Sequence, residues 1–136
     1  MGRVTRKPFD IVAFLVAKVP GRRSSNYTTK QIFFSQGGPA NSVFYLQTGR
    51  AKLTVLSKGG KEATVTLLAA GDFFGEESMA GAGTLRMVTA SAITACTVLK
   101  IATAEILRVL QAEHKFSTFF LKFIVSKDLR QSRRLS

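Results

Sequence analysis

The chain has 136 residues, a formal net charge of +12 and an apolar content of 46%. This length limits it to one domain with a single core, and the charged content of 21% argues against global disorder. No run of residues approaches the roughly 20 apolar positions that a helix needs to cross a bilayer. The composition therefore favours a folded domain and excludes a helical membrane protein.

The first predicted element is a helix at the front of the chain. Arg3, Arg6 and Lys7 precede an apolar run over residues 11–17, an order that faintly resembles a signal peptide. No suitable small-residue cleavage site follows, so we interpret residues 8–17 as an amphipathic helix.

Short strands are predicted through the middle of the chain, because apolar and polar residues alternate between turn signals there. Gly59 and Gly60 favour a hairpin turn, since glycine adopts positive φ without steric cost. Turn signals about 8–12 residues apart favour a small barrel or jelly roll over a βαβ sheet. The predicted strands are residues 31–34, 42–47, 50–57, 62–68, 86–93 and 97–101.

Two helices are predicted at the end of the chain. The first spans residues 104–111, and the second carries an apolar stripe at three- and four-residue spacing. We expect the stripe to pack either on its own barrel or on the same helix of a second subunit. The apolar pattern fades into basic residues after Ile124, so we expect the helix to end in solvent or beyond a truncation. The stripe consists of Phe116, Phe119, Phe120, Phe123 and Ile124.

Two nearby segments, residues 71–76 and 85–90, predict a phosphate-binding pocket. The first reads Gly-Asp-Phe-Phe-Gly-Glu, and in the second Arg86 opens an apolar strand. Glycine lets backbone N–H groups approach an anion, a carboxylate can accept from a sugar hydroxyl, and a guanidinium pairs with phosphate. This is a binding arrangement rather than a catalytic one.

Other chemistries have little support in the sequence. Cys96 and His114 are the single cysteine and the single histidine, so iron–sulfur and zinc sites lack ligands. No spacing of nucleophile and base suggests an enzyme. We expect Cys96 to be a buried small apolar residue and His114 to be solvated or to cap a helix. One cysteine cannot form an internal disulfide, which fits a reducing cytoplasm.

The order of these pieces resembles the cyclic nucleotide-binding domain, and more narrowly the sensor half of the Crp/Fnr family of bacterial transcription regulators. The resemblance implies a mainly β fold, a double-stranded β-helix (jelly-roll) barrel with flanking helices and a long C-terminal dimerisation helix. Residues 1–24 would be an N-terminal helix and basic lead-in, 25–102 the jelly roll, and 103–136 the C-terminal helices with a truncated dimerisation helix. The matching stretches are residues 34–37, 43–49, 59–62, 71–76 and Arg86.

The resemblance also implies roles for site residues. Glu76 matches the carboxylate that accepts from the ribose 2′-hydroxyl, Gly75 the residue whose backbone approaches the ligand, and Arg86 the phosphate-pairing arginine. A structural ion pair between Glu76 and Arg86 across an empty pocket is the alternative. The expected ligand-binding set is Phe74, Gly75, Glu76, Glu77, Arg86 and Met87, and the expected dimer interface is the apolar stripe of the last helix.

Two positions depart from the family pattern. Met87 stands where Ser or Thr usually donates to the phosphate, and losing that hydrogen bond should cost about 0.5–1.5 kcal/mol. A buried thioether at this position would also crowd the phosphate. Glu77 stands where an apolar residue is usual, and it adds negative charge near an anion site.

The leading hypothesis is a non-catalytic, cytoplasmic sensor domain that binds cyclic AMP or a related effector, with no cofactor and no metal. It would form a homodimer through the C-terminal helix and reach DNA only through a domain absent from these residues, which contain no recognition-helix pattern. The first alternative is an oligomerisation or interaction module of the same fold with a vestigial pocket. The second is salt-sensitive, non-specific nucleic-acid binding through the basic ends, residues 1–24 and 108–136.

Overall fold

The fold is an antiparallel β sandwich with helices at both ends of the chain. The computed structural model describes residues 10–19 and 21–135, with side chains up to residue 126. Most of the basic lead-in, residues 1–9, lies outside the described residues. The helices are α1 (Ile11–Lys18), α2 (Thr103–Ala112) and α3 (His114–Leu135). The strands are β1 (Arg23–Tyr27), β2 (Ile32–Phe34), β3 (Ser42–Thr48), β4 (Arg50–Leu56), β5 (Glu62–Ala69), β6 (Phe73–Phe74), β7 (Thr89–Ala92) and β8 (Cys96–Ala102).

The strands form two four-stranded sheets. One has the order β1-β8-β3-β6 and the other β2-β7-β4-β5, and neighbouring strands pair antiparallel. The hairpin predicted at Gly59 and Gly60 joins β4 to β5, and Gly60 takes the positive φ of +81°. The mainly β jelly-roll prediction is confirmed, although the described strands do not close into a continuous hydrogen-bonded barrel.

The alternation of side chains along β3 divides the core into two clusters, because successive residues of a strand face opposite sides of the sheet. Phe44 and Leu46 face the interior between the sheets, where they pack with residues such as Phe74 and Val98. Val43 and Tyr45 face outward and pack with the helices. The sheet that carries β3 is therefore covered on both faces.

Helix α1 agrees with the predicted front helix. The side chain of Asp10 caps it by accepting from the Ala13 N–H at 3.0 Å, as short acidic residues do at helix starts. Leu15 and Val19 are fully buried against α2, α3 and the outer face of the sheet. Pro8 and Phe9, the first residues of the predicted helix, lie outside the described residues.

The strand predicted over residues 86–93 is too long. Arg86 precedes β7 and lies in irregular chain: its N–H donates to the Gly38 carbonyl and its carbonyl accepts from the Gly37 N–H, both at 2.7 Å. The backbone of Arg86 is hydrogen-bonded to the turn at Gly37 and Gly38 instead of to a neighbouring strand, so the strand begins only at Thr89. Strands β1 and β6 were not predicted, because β1 is largely polar and exposed and β6 has only two residues.

The last helix is longer than its apolar stripe. It continues to Leu135, past Ile124, which is the last member of the stripe. Phe116 and Phe120 are 0% and 4% exposed within the single chain, where they join the core that includes Tyr45. These two side chains therefore belong to the chain's own core, and their part in a dimer interface stays a prediction.

The remaining members of the stripe lie at the edge of that core. Phe119, Phe123 and Ile124 are partly buried and pack against it. Their part in a dimer interface stays a prediction. Within the described ranges, no helix is both long and apolar enough to span a membrane.

Candidate ligand-binding site

The site begins where β6 ends and the chain turns sharply at Gly75. This residue has φ +79°, a left-handed conformation that glycine adopts readily, and a 3-10 turn over Glu76–Ala80 follows it. A Cβ at this position would lie 2.8 Å from Nη1 of Arg86, and within 3.3 Å of the rings of Phe34 and Phe44. Both the backbone conformation and the close approach therefore require glycine here.

Arg86 projects from the loop before β7 into the interior of the domain. Its two backbone hydrogen bonds to Gly37 and Gly38 hold the loop in place. Its side chain is only 1% exposed. An arginine is seldom buried this completely unless it is paired, so its partners explain how the fold tolerates it.

The guanidinium group of Arg86 is held from several sides. Nη1 donates to the Gly75 carbonyl at 2.8 Å and to Oε1 of Glu77 at 3.0 Å. Nη2 donates to the Ser42 carbonyl at 2.7 Å and, at the longer distance of 3.4 Å, to the Ser42 hydroxyl. The guanidinium carbon lies 4.0 Å from the centroid of the Phe34 ring, a cation–π contact. Nε is buried and has no hydrogen-bond partner among the described residues.

The other predicted ligand residues occupy three different environments. Phe74 is fully buried and stacks on Phe44 with ring centroids 5.0 Å apart, so its side chain forms part of the core beneath the site. Glu76 is partly buried, and its Oε2 atom is enclosed. Met87 is 74% exposed. The expectation that a buried Met87 thioether would crowd the phosphate is therefore wrong.

The sequence shows Glu77 as an unusual negative charge near the site, but it does not show whether the side chain points into the pocket or away from it. Its side chain is 26% exposed and turns inward to form the salt bridge with Arg86. The 3-10 turn places it there, because the chain reverses at Gly75 and brings this residue back over the guanidinium. The sequence did not identify Ser42, whose backbone carbonyl binds Arg86; no side-chain pattern marks a residue that acts through its carbonyl.

The two phenylalanines of β6 connect the site with α3. Phe74 faces the site side of the sheet, and Phe73 faces the helices. The Phe73 ring centroid lies 5.1 Å from that of Phe120, 5.5 Å from that of Phe123 and 6.3 Å from that of Phe116. The dipeptide before Gly75 therefore contacts the core beneath the site with one ring and α3 with the other.

The remaining reactive side chains are separate from this site. The thiol of Cys96 is buried, and its sulfur lies 3.2 Å from the carbonyl oxygens of both Arg50 and Thr94, either of which can accept its single proton. Burial raises the pKa of that thiol. This agrees with the predicted structural role. His114 is exposed at the first turn of α3. In the described part of the chain, no group of three or more His, Cys, Asp or Glu side chains could hold a metal ion.

Known proteins with similar sequences are regulators. The chain is 31% identical over 85 residues to the cAMP-activated global transcriptional regulator CRP of Pasteurella multocida, which covers 62% of this chain and 41% of that protein. It is 24% identical over 110 residues to the protein of the same name from Haemophilus influenzae, which covers 81% of this chain and 49% of the relative. The chain thus spans less than half the length of these relatives.

A solved structure shares the fold. The c-di-GMP responsive global regulator CLP of Xanthomonas campestris superposes with a TM-score of 0.78 at 20% identity, over 90% of this chain and 60% of that protein. The sequence model of the family described as "Cyclic nucleotide-binding domain" matches residues 24–113, well over half of the chain. The chain therefore belongs to the cyclic nucleotide-binding domain family and is related to the Crp/Fnr-type transcription regulators.

Proposed function

We propose that this chain is a non-catalytic sensor domain that binds cyclic AMP or a related cyclic nucleotide, and that Arg86 pairs with the phosphate of the ligand. The observation that carries the proposal is the burial of the Arg86 guanidinium beside the left-handed Gly75, in a family that binds cyclic nucleotides. A buried cation with an unsatisfied Nε is costly for stability alone. Binding an anion accounts for that cost.

The carboxylate of Glu76 is the proposed acceptor for the ribose 2′-hydroxyl. It follows Gly75 directly at the start of the 3-10 turn, and its Oε2 atom is enclosed. The backbone of Gly75 can approach the ligand because it carries no side chain. Phe74 supports this segment from below, and position 87 faces solvent at the edge of the site.

The proposed output passes from β6 to α3. Ligand at Gly75 would shift Phe74 and Phe73, and the Phe73 ring would repack against Phe120 and Phe123. A ligand can shift this equilibrium only by its difference in affinity for the two arrangements. The helix could then pass the change to a second subunit or to a further domain that binds DNA.

The experiment is a calorimetric titration of the purified protein with cyclic AMP and cyclic GMP. We expect saturable binding, and Arg86→Ala should weaken it by about 1.5–3 kcal/mol, the range for a hydrogen bond to a charged group. Because Arg86 is buried, circular dichroism must show that the variant is folded, and Arg86→Lys keeps the positive charge as a milder replacement. Undiminished binding by both variants would contradict the proposal.

A second candidate function is an oligomerisation or interaction module with a vestigial pocket. The salt bridge between Glu77 and Arg86 favours it, because it already provides the guanidinium with an anionic partner. Absence of binding to any cyclic nucleotide, combined with self-association in sedimentation experiments, would favour this candidate over the first.

The proposed cellular setting follows from the same relatives. We propose a cytoplasmic homodimer that contacts a cyclic nucleotide, with DNA bound through residues other than those present here. The basic ends remain candidates for contact with an acidic partner. Residues 1–9 and the side chains after residue 126 carry much of that charge and lie outside the described structure. A steep fall of nucleic-acid affinity with salt would support such contacts.

A further inference from the structure

The partners of Arg86 differ in how easily a ligand could replace them. The carbonyls of Gly75 and Ser42 belong to the backbone of the fold and cannot leave without a change in the chain path. Glu77 contributes a side chain that is 26% exposed, from a 3-10 turn, and a rotation about its side-chain bonds would carry it into solvent. The Ser42 hydroxyl, 3.4 Å from Nη2, is a neutral side-chain partner. Glu77 is thus the replaceable charged partner.

Glu77 and an incoming phosphate compete for the same charge. The guanidinium carries one positive charge, which the Glu77 carboxylate 3.0 Å away already balances. A phosphate placed beside the intact pair would lie near a carboxylate, and like charges at such distances repel. While Glu77 is in place, the buried Nε also remains without an acceptor, a cost that a better-placed anion can remove.

We propose that Glu77 is a built-in competitor of the ligand: its carboxylate holds Arg86 in the ligand-free protein, and the phosphate must displace it. This inference rests on the proposed function. It gives Glu77 a role opposite to that of a ligand contact, since it sets a concentration threshold for the effector. A protein with this device responds only when the effector is abundant, and it does not leave an unpaired buried arginine when the effector is absent.

The test compares variants that remove one negative charge. Glu77→Gln keeps the shape and an acceptor oxygen but removes the charge, and it should bind cyclic AMP about tenfold more tightly in calorimetry, the effect of relieving one charge repulsion. Glu77→Ala should also bind more tightly. Glu62→Gln is the matched control, because it removes the same charge from an exposed pair with Lys52, and it should bind as the parent does.

A second readout keeps the test independent of the nucleotide. Inorganic phosphate is titrated into protein labelled with 15N-arginine, and the Nε–H signal of Arg86 is identified by its loss in Arg86→Lys. In Glu77→Gln this signal should shift at about tenfold lower phosphate concentration than in the parent. Because the signal is local, binding of phosphate to the many surface cations does not contribute to it.

Each combination of results has one meaning. Tighter cyclic AMP binding in both Glu77 variants supports the competitor role. Equal or weaker binding in either of them, with a parent that binds, overturns that role and leaves the proposed function standing. If no variant binds a cyclic nucleotide, the proposed function fails, and the phosphate titration still decides the role of Glu77. A signal that shifts at lower phosphate concentration in Glu77→Gln than in the parent supports the role, and an unchanged titration curve overturns it.

Discussion

The Gly75 carbonyl accepts a hydrogen bond of 2.8 Å from Nη1 of Arg86, and that same nitrogen lies 2.8 Å from the point that a Cβ on residue 75 would occupy. Gly75 therefore stabilises the position of Arg86 in two ways. Its left-handed backbone presents a carbonyl to the guanidinium, and its lack of a side chain leaves space for that group. The pair forms one structural unit, although eleven residues separate its members.

Replacing Gly75 with alanine tests this unit. The left-handed conformation and the contacts with Arg86 and Phe34 should together destabilise the fold by about 2–4 kcal/mol. Gly60→Ala is the matched control, because Gly60 has a similar φ of +81° and no atom of the described residues lies within 4 Å of its Cβ position. This variant should cost about 1–2 kcal/mol. Urea denaturation of both variants measures the difference. Equal losses would show that crowding at Arg86 is unimportant.

Replacing Phe73 with leucine tests the connection between the site and α3. The substitution removes the ring contacts with Phe120 and Phe123 and should cost about 1–2 kcal/mol of stability. Cyclic nucleotide should still bind with similar affinity, but it should no longer change hydrogen exchange in α3. Phe74→Leu is the comparison, because that ring packs beneath the site and its loss should weaken binding. A full ligand effect on α3 in Phe73→Leu would contradict the proposed route.

One leucine and one valine on α3 are exposed, and we predict that a dimer would form there. Leu121 is 64% exposed and Val125 is 51% exposed, and their i, i+4 spacing places them on one face. If α3 mediates dimerisation, the double replacement Leu121→Lys and Val125→Lys should give a monomer with stability changed by less than about 0.5 kcal/mol per site. Sedimentation velocity of parent and variant measures the state.

A dimer that survives both lysines would assign the interface elsewhere. Phe120→Ala provides the contrast, because Phe120 is buried in the chain's own core, and it should reduce stability by about 3–5 kcal/mol.

We predict that ionisation of Tyr45 reduces the free energy of unfolding at alkaline pH. Burial, then the nearby charges of Asp10 and Asp72, raise the pKa of its phenol above the ordinary value of 10.0. The unfolded chain therefore releases this proton at a lower pH than the folded protein. The contribution to stability is complete below about pH 10 and declines as the pH rises toward the folded pKa. Denaturation between pH 8 and 11 should show a steeper decline for the parent than for Tyr45→Phe. Parallel curves would contradict this.

Much of the architecture was predictable from local patterns. The alternation of apolar and polar residues in β4 and β5 and the glycine turn between them indicated the hairpin, because those signals depend only on neighbours in sequence. The stripe of phenylalanines indicated a helix with one buried face for the same reason. β1 could not be predicted, since an exposed, polar edge strand has no apolar period and forms only because β8 offers it hydrogen bonds.

The description of the site required both the sequence and the folded structure. The order of Gly75, Glu76 and Arg86 indicated a phosphate-binding pocket, and the helical spacing of Phe116 and Phe120 placed them on one helix face. The pairing of Glu77 with Arg86, the exposure of Met87 and the burial of Phe116 and Phe120 by their own chain became apparent only in the folded structure. Periodicity tells which residues face the same way, whereas the neighbour that each one meets is set by the path of distant segments.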